Sequence, residues 1–463
     1  MTVDTLIIGA GPAGLAAAVV LAEHRASVMV VDEQAAPGGQ IYRAVERMPA
    51  RLRAVLGSDY AQGADLVARF RAAGVQYRPS SSVWQIVPGM PHEIWLSAAG
   101  CSAMVQARTL IVATGAMERP VPAPGWTLPG AMSAGAVQIL LKSASLAPEG
   151  LVLAGSGPLL YLLGGQCIAA GAKLTAILDT TSRANAWASL RHLPAAIAGG
   201  GGVALRKGLA LIARLRMAGV PVHTQVTDIR IEGADAVAGI GFRSKGRPVA
   251  LATKLVALHE GVIPAQQAPR SIGCAFDWDG LQHCFRPRTD EWGNSSVAGV
   301  LIAGDGAGIG GARAAEHAGR IAAMEALQRL GRIDAATRDR LAVADRTAWT
   351  RHLSVRPFLD TLFAPPPSIL RPADEVTICR CEEVAAGAIR AVAAQGCQGP
   401  NQVKSFLRAG MGPCQGRICG PVVAELIAEV RGVGMDEVGY FRIRPPLKPI
   451  SVGELAAVEL PGE

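Results

Sequence analysis

The chain has 463 residues, a formal net charge of +8, and 50% hydrophobic, 18% charged and 4% aromatic residues, the profile of an α/β protein too long for one core. A prior of roughly 150 residues per domain gives about three domains. Lys and Arg are scattered without interleaved aromatics, so no nucleic-acid partner is expected, and the positive excess suits solubility or docking to an acidic surface.

Val3 to Gln40 organises the rest of the chain. A short apolar run, Leu6-Ile7-Ile8, leads into Gly9-Ala10-Gly11-Pro12-Ala13-Gly14, an alanine-rich helical run, and a second apolar run, Ser27 to Val31, that ends at Asp32-Glu33. This order is a βαβ unit for a dinucleotide. Gly9 permits the tight turn, Gly11 lets a pyrophosphate approach the backbone, and Gly14 lets helix and strand pack closely. The helix N-terminus at Pro12 and Ala13 supplies free N–H groups and partial positive charge. Asp32, eighteen positions after Gly14, has the spacing of a ribose-binding acid, and Glu33 is the neighbouring alternative.

Further along, Ala50 to Ala73 has helical character, and Val83-Trp84-Gln85-Ile86 and Ile94-Trp95-Leu96 read as strands. Thr109 to Ala113 is a buried strand ending in Thr114-Gly115. Together with Pro37-Gly38-Gly39-Gln40 and the later Val300-Leu301-Ile302-Ala303-Gly304-Asp305, these segments resemble the FAD-binding segments of two-dinucleotide-domain flavoprotein reductases. That resemblance implies FAD rather than NAD in the first unit. It also implies contacts from Gly39, Gln40, Thr114 and Gly115, adenine against the backbone near Val83, and the flavin ribityl and phosphate end at Gly304-Asp305. A helix beginning near Gly310-Gly311-Ala312 can point its N-terminus at the flavin pyrimidine or a phosphate.

The proline-rich crossing Pro120 to Pro129 breaks regular structure and marks a domain boundary. After it, Leu151 to Leu160 opens a second nucleotide-binding unit around Gly155-Ser156-Gly157-Pro158, with a strand Leu174 to Leu178 ending at Asp179. Leu160 stands at the third glycine, where it would crowd the helix–strand contact, so NAD(P)H binding is not expected; the module is left with ATP, another nucleotide or nothing. The uncharged stretch 150–172 is long enough to span a bilayer, but its glycines mark it as strand, turn and helix. The apolar N-terminus lacks a basic n-region, so no signal peptide and no transmembrane segment are expected. The nine cysteines are not spaced as a secreted disulfide framework, which points to the cytoplasm. Residues 320–345 read as a charged helical hairpin, and Arg356-Pro357 and Pro365-Pro366-Pro367 as an extended connection.

Near the C-terminus stand Cys379-Arg380-Cys381 and, after thirty-two intervening residues, Cys414-Gln415-Gly416-Arg417-Ile418-Cys419. Four thiolates that converge make a zinc site or an iron–sulfur cluster, and the tight C-x-C is atypical for structural zinc. Plain buried thiols are the remaining reading. Bacterioferritin-associated ferredoxin-like (BFD-like) domains carry a C-x-C, a helical spacer and a second close pair around a [2Fe–2S] cluster, and this segment resembles them. Cys397, in the spacer, and Cys101, Cys167, Cys274 and Cys284 read as ordinary buried small hydrophobes. Gly410-Met411-Gly412-Pro413 and Gly420-Pro421 flank the second pair with turns whose N–H groups can reach cluster sulfurs.

The glycine segments, Gln40-Ile41-Tyr42-Arg43, Cys379-Arg380-Cys381-Glu382-Glu383 and Gly410 to Arg417 together resemble the large flavoprotein subunit of bacterial heteromeric amine and imino-acid dehydrogenases. Opine oxidase A subunits, D-hydroxyproline and dye-linked L-proline dehydrogenase α subunits, and the flavoprotein B subunits of hydrogen cyanide synthase are of this type. The fold implied is a split FAD domain (1–120 and 265–345), an inserted, degenerate second Rossmann-like domain (121–264), a linker (346–373) and a small, mainly helical BFD-like domain with a tail (374–463). The resemblance also implies a D-amino-acid-oxidase-like β subunit with its own FAD that oxidises the C–N bond, and leaves room for an FMN shared with a partner and a small third subunit. Electrons would then pass to a quinone or the respiratory chain, which would bring the chain peripherally to the inner membrane. No acid–base or nucleophile constellation is evident; His259 and His317, the histidines near flavin-facing segments, read as packed or capping residues. Two rivals stay open: a self-sufficient NAD(P)H-dependent flavin/iron–sulfur reductase and a zinc-stabilised scaffold.

Overall fold

The apolar run before the first glycine turn becomes the strand Thr2–Ile8, followed by the helix Pro12–Glu23 and the strand Val28–Val31 in a computed structural model that describes residues 1–458. The last five residues of the expected tail lie outside the described residues. Thr2–Ile8 pairs in parallel with Val28–Val31 on one side and with the long strand Cys101–Val112 on the other. Its end, Leu6 to Ile8, is covered on both faces, needs no polar alternation and is continuously apolar.

Cys101–Val112 changes partner along its outer edge. Its first half pairs antiparallel with His92–Ala98, and Leu110 to Val112 pair in parallel with Val300–Ile302. That second pairing brings the chain back to the first sheet after the whole second module. Helix Ala312–Arg329 then crosses helix Pro12–Glu23 so closely that a Cβ on Gly319 would lie 2.1 Å from the Ala13 carbonyl oxygen.

The second sheet is all parallel: Val222–Thr224, Leu174–Asp179, Leu151–Ser156, Leu255–Glu260 and Ala131–Ser133, in that order. Helix Pro158–Ala169 follows its glycine turn. Leu160 is fully buried in this module's core, and the close helix–strand approach sits one turn later, where a Cβ on Gly164 would be 3.2 Å from Ile177 Cδ1. Three helices, Arg183–Ser189, Leu193–Ala198 and Gly202–Met217, fill the chain between Leu174–Asp179 and Val222–Thr224.

Two expectations need correction. The helical stretch from Ala50 is cut at Gly57 (φ 93°) into Ala50–Leu56, Ser58–Ala61 and Gly63–Ala72, because a left-handed glycine cannot continue a helix. The expected extended connection is largely helical: Ala335–Leu353 runs into it, and Arg356–Leu362 and Pro367–Leu370 follow. Pro357 and Pro367 occupy first-turn positions, where the missing N–H has no helical acceptor to lose. The C-terminal unit is a two-stranded ribbon, Thr377–Cys379 with Val384–Ala385, under the helices Ala386–Ala394, Pro400–Leu407 and Gly420–Arg431.

Candidate functional site

A connected cavity of about 1560 Å³ lies where the three units meet. It is larger than the roughly 300–1,000 Å³ of ordinary small-molecule sites. Gly9, Gly11, Pro12 and Ala13 form one wall, and Gly39, Gln40, Thr114, Gly115, Asp305 and Ala312 extend it. Asp32, Glu33 and Val83 line the same space. Two expected residues do not: Gly14 packs behind the turn, where a Cβ would be 1.9 Å from Gly9 O, and Gly304 is held against Ala13 and lines a smaller cavity behind.

The cradle closes by glycine on glycine. Gly38 N–H donates to Ala10 O at 2.8 Å, and a Cβ on Gly39 would lie 2.8 Å from Gly11 Cα. Gly11 itself is open, its nearest neighbour being Gly39 Cα at 3.9 Å from the added Cβ. Thr114 Oγ1 is buried without a hydrogen-bond partner among the described residues. An open glycine at a helix N-terminus and an orphaned hydroxyl both fit a dinucleotide laid along the turn.

The two acids divide. Asp32 is buried, and its carboxylate accepts from the N–H of Ala10 (2.5 Å) and of Gln34 (2.6 Å), fastening the glycine turn to the second strand. Burial pushes its pKa up, against those two hydrogen bonds. Glu33 is half exposed and pairs with Lys448 at 3.0 Å. Asp305 accepts from the N–H of Gly310 and Gly311, which holds the turn before helix Ala312–Arg329.

Several residues in the wall or behind it have no signal in sequence spacing. Lys142 is buried and donates to the carbonyls of Gln40 and Ile41 and to Gln138 Oε1 at 2.9 to 3.0 Å, tying the second module to the glycine loop. Burial lowers its pKa to about 7. Glu118 Oε1 meets His259 Nδ1 at 2.8 Å, and Glu118 Oε2 accepts from Gly135 N–H. Beside them, buried Glu260 bonds the hydroxyls of Ser156 and Thr180, each at 2.7 Å, and burial raises its pKa to about 7. Arg119 is buried too, and donates to the carbonyls of Glu260, His283 and Gln282. His317 is tied to Asp345 at 2.6 Å and stacks on His352, so it holds the two long helices together.

At the second glycine turn the usual ligand-binding groups are already engaged. Asp179, the acid ending Leu174–Asp179, accepts from the Tyr161 hydroxyl and from Thr181 N–H. Glu260 places a carboxylate against Ser156 within the turn itself.

The four expected cysteines meet as two pairs, Cys379 with Cys419 and Cys381 with Cys414. Cys379 and Cys419 are buried; Cys381 and Cys414 lie nearer the surface. Their acidities separate: the Cys419 hydrogen bond brings Cys379 down to about 5, helped by the N–H groups of Gly410, Glu382 and Cys381, while Cys419 is pushed well above the ordinary thiol value. Cys419 stands at the N-cap position of helix Gly420–Arg431, without a side-chain capping bond. Among the described residues no three His, Cys, Asp or Glu side chains converge on one point. Four thiols gathered close together supply the four ligands a [2Fe–2S] cluster takes, and would hold it there. Cys397 is buried apart from them, between two helices.

The cysteine unit and the cavity share a wall. Arg380, Arg417 and Ile418, from between the ligand-type cysteines, line the cavity, and Trp126 bridges the two by donating its indole N–H to Thr377 O at 2.7 Å.

Residues 3–322 match the pyridine nucleotide-disulphide oxidoreductase family, and residues 377–429 the BFD-like [2Fe-2S] binding domain. The opine oxidase A subunit of Rhizobium meliloti (strain 1021) is 47% identical over 98% of each chain. The chain belongs to the family of opine oxidase A subunits. The HcnB subunit of hydrogen cyanide synthase from Pseudomonas aeruginosa is 32% identical over 97% of each chain. In fold, the chain is similar to L-proline dehydrogenase from P. horikoshii, with a TM-score of 0.70 at 17% identity over 98% of this chain and 79% of that one. This family member is thus an oxidoreductase subunit that carries FAD and a [2Fe–2S] cluster, with partner subunits, as its relatives' description as subunits implies. No helix among the described residues is long and apolar enough to cross a membrane.

Proposed function

We propose that the chain collects electrons from a partner β subunit that oxidises the C–N bond of an opine or a related amino or imino acid, and delivers them towards an acceptor. The observation that carries this reading is the shared wall: one cavity touches both the FAD cradle and the loops that hold the thiol pairs. FAD would lie along Gly9 to Ala13, with its ribityl chain towards Asp305, and Cys379, Cys381, Cys414 and Cys419 would hold the cluster. FAD supplies two-electron acceptance and the cluster one-electron transfer when bound. The chain's own residues position and shield: Lys142 pins the Gln40 loop, Trp126 fixes the ligand strand to the crossing between the two nucleotide modules, and Arg380 and Arg417 place positive charge between the two sites.

The His259–Glu118 pair is a carboxylate-oriented imidazole, but its ring faces Gly157 of the second module rather than the first glycine turn. This arrangement supports placing substrate oxidation in the partner. The NAD(P)H-reductase alternative is disfavoured by the engagement of Asp179 with Tyr161 and by Glu260 at the turn. The test is anaerobic reduction of the purified flavin-loaded chain. Octopine, nopaline, proline or D-hydroxyproline should leave its flavin spectrum unchanged until the β subunit is co-purified, and NADH should leave it unchanged throughout. Reduction by an amino-acid substrate without a partner would refute the division of labour, and rapid bleaching by NADH would establish the reductase alternative.

A further inference from the structure

The helical excursion of the second module has a composition that the nucleotide fold does not require. Between Asp179 and Asp228 there is no acidic residue, yet the stretch holds Arg183, Arg191, Arg206, Lys207, Arg214 and Arg216, six cations in a chain whose net charge is +8. All six are exposed. Among the described residues only Lys207 has an acidic partner, Asp59.

The same stretch leaves large apolar side chains in water. Trp187 is 75% exposed, Leu209 69%, Val203 67% and Met217 82%. Helix Gly202–Met217 has two faces. Its inner residues Leu211, Ile212 and Leu215 pack with the core of the second module, while Val203, Arg206, Leu209, Arg214 and Met217 face outward. An outward face that mixes bulky apolar groups with unopposed Arg is costly to leave solvated and is the pattern of a helix lying in a lipid interface. Long cationic side chains there can extend to phosphates while their stems and the apolar residues between them sit deeper.

We infer that this face docks the protein on an anionic phospholipid bilayer. The commitment to lipid over a protein partner rests on charge: five exposed arginines without an acidic partner among the described residues, beside Lys207 paired with Asp59, complement a continuous negative surface, whereas protein interfaces carry few charges at their centre and pair those they have. Leu205, Lys207, Leu209, Leu211 and Ile212 of the same helix line the flavin cavity, so docking would bring the cavity mouth to the lipid. Delivery of electrons to a lipid-soluble acceptor there rests on the proposed function; the docking does not.

The test uses the full-length, flavin-loaded chain and sedimentation with vesicles of phosphatidylglycerol and phosphatidylcholine or of phosphatidylcholine alone. Binding is expected only to the anionic vesicles and should fall with added salt. Removing two cations, Arg214→Ala with Arg216→Ala, should weaken partitioning about 25-fold, from about fivefold per basic side chain at such a surface. Val203→Glu with Met217→Glu, two exposed positions outside the cavity, should weaken it at least as much. Lys245→Ala with Arg247→Ala, an equal charge loss on an exposed hairpin of the same module, should change it little. Flavin content reports folding in each variant. The proposal is overturned if wild type ignores anionic vesicles, if the hairpin variant loses as much as the helix variant, or if the Val203/Met217 variant keeps vesicle binding and instead loses a co-expressed partner chain.

Discussion

Alanine at Gly11 and alanine at Gly14 should have opposite consequences, although both enter the same motif. Gly11 has φ −81° and ψ −175°, extended backbone open to any residue, and the added Cβ meets only Gly39 Cα at 3.9 Å. Gly11→Ala should therefore leave the apo fold intact, and could even stabilise it by about 0.4–1 kcal/mol through the unfolded chain. The new methyl projects into the cradle between Gly11 and Gly39, where the pyrophosphate would approach. If two charge-assisted N–H bonds are lost at roughly 1.5–3 kcal/mol each, FAD affinity falls on the order of 10²- to 10⁴-fold. At Gly14 the Cβ would be 1.9 Å from Gly9 O, a backbone clash that no rotamer relieves, so Gly14→Ala should lower the apo protein's urea midpoint by several kcal/mol equivalent, of order 3. The assay is flavin titration of each apo variant by fluorescence quenching, paired with urea unfolding. Wild-type flavin affinity in Gly11→Ala, or equal destabilisation of the two apo proteins, would refute the assignment of this turn.

Cys414→Ser should remove most of the cluster's visible absorption and its reduced-state paramagnetic signal while FAD stays bound; Cys397→Ser should keep both, and equal cluster content in the two would overturn the ligand set. Gly412→Ala, whose Cβ would lie 2.1 Å from Cys381 Cβ, should lower cluster content with every cysteine present, measured as iron and acid-labile sulfide. Glu260 titrates near 7 when folded and near 4.5 when unfolded, so its stabilising contribution is complete below the unfolded value and is lost as pH rises through about 7. At about 1.4 kcal/mol per pKa unit this is about 3 kcal/mol, and Glu260→Gln should flatten the fall in thermal stability between pH 5 and 8 by that order. Lys142→Met, which removes two hydrogen bonds to the glycine loop and one to Gln138 on its own helix, should speed FAD release without abolishing folding, seen by stopped-flow flavin displacement.

The sequence alone determined whatever is written in short-range geometry. Turn glycines impose a backbone path within a few residues, so Gly9-Ala10-Gly11 and Gly155-Ser156-Gly157 announced both nucleotide folds, and the close spacing of Cys379 with Cys381 and of Cys414 with Cys419 announced the metal module. Local pattern misled where Arg356-Pro357 and Pro365-Pro366-Pro367 read as an extended connection, because the cost of a proline in a helix depends on which turn it occupies. Tertiary structure decided everything that depends on distant segments meeting. Asp32 could not be told from Glu33 by spacing, since only folding turns one carboxylate onto the Ala10 and Gln34 amides and the other onto Lys448. Glu118 and His259 are 141 positions apart, and Lys142 reaches the Gln40 loop across 102, so no periodicity could have paired them. The thiol pairing is of this kind as well: each C-x-C or C-x4-C is a local signal, but each sulfur's partner lies in the other segment, chosen by how the ribbon Thr377–Cys379 packs against the start of helix Gly420–Arg431. Short-range sterics are encoded residue by residue, whereas long-range contacts are fixed only when burial of the apolar faces brings the sheets and the cysteine unit together around one cavity.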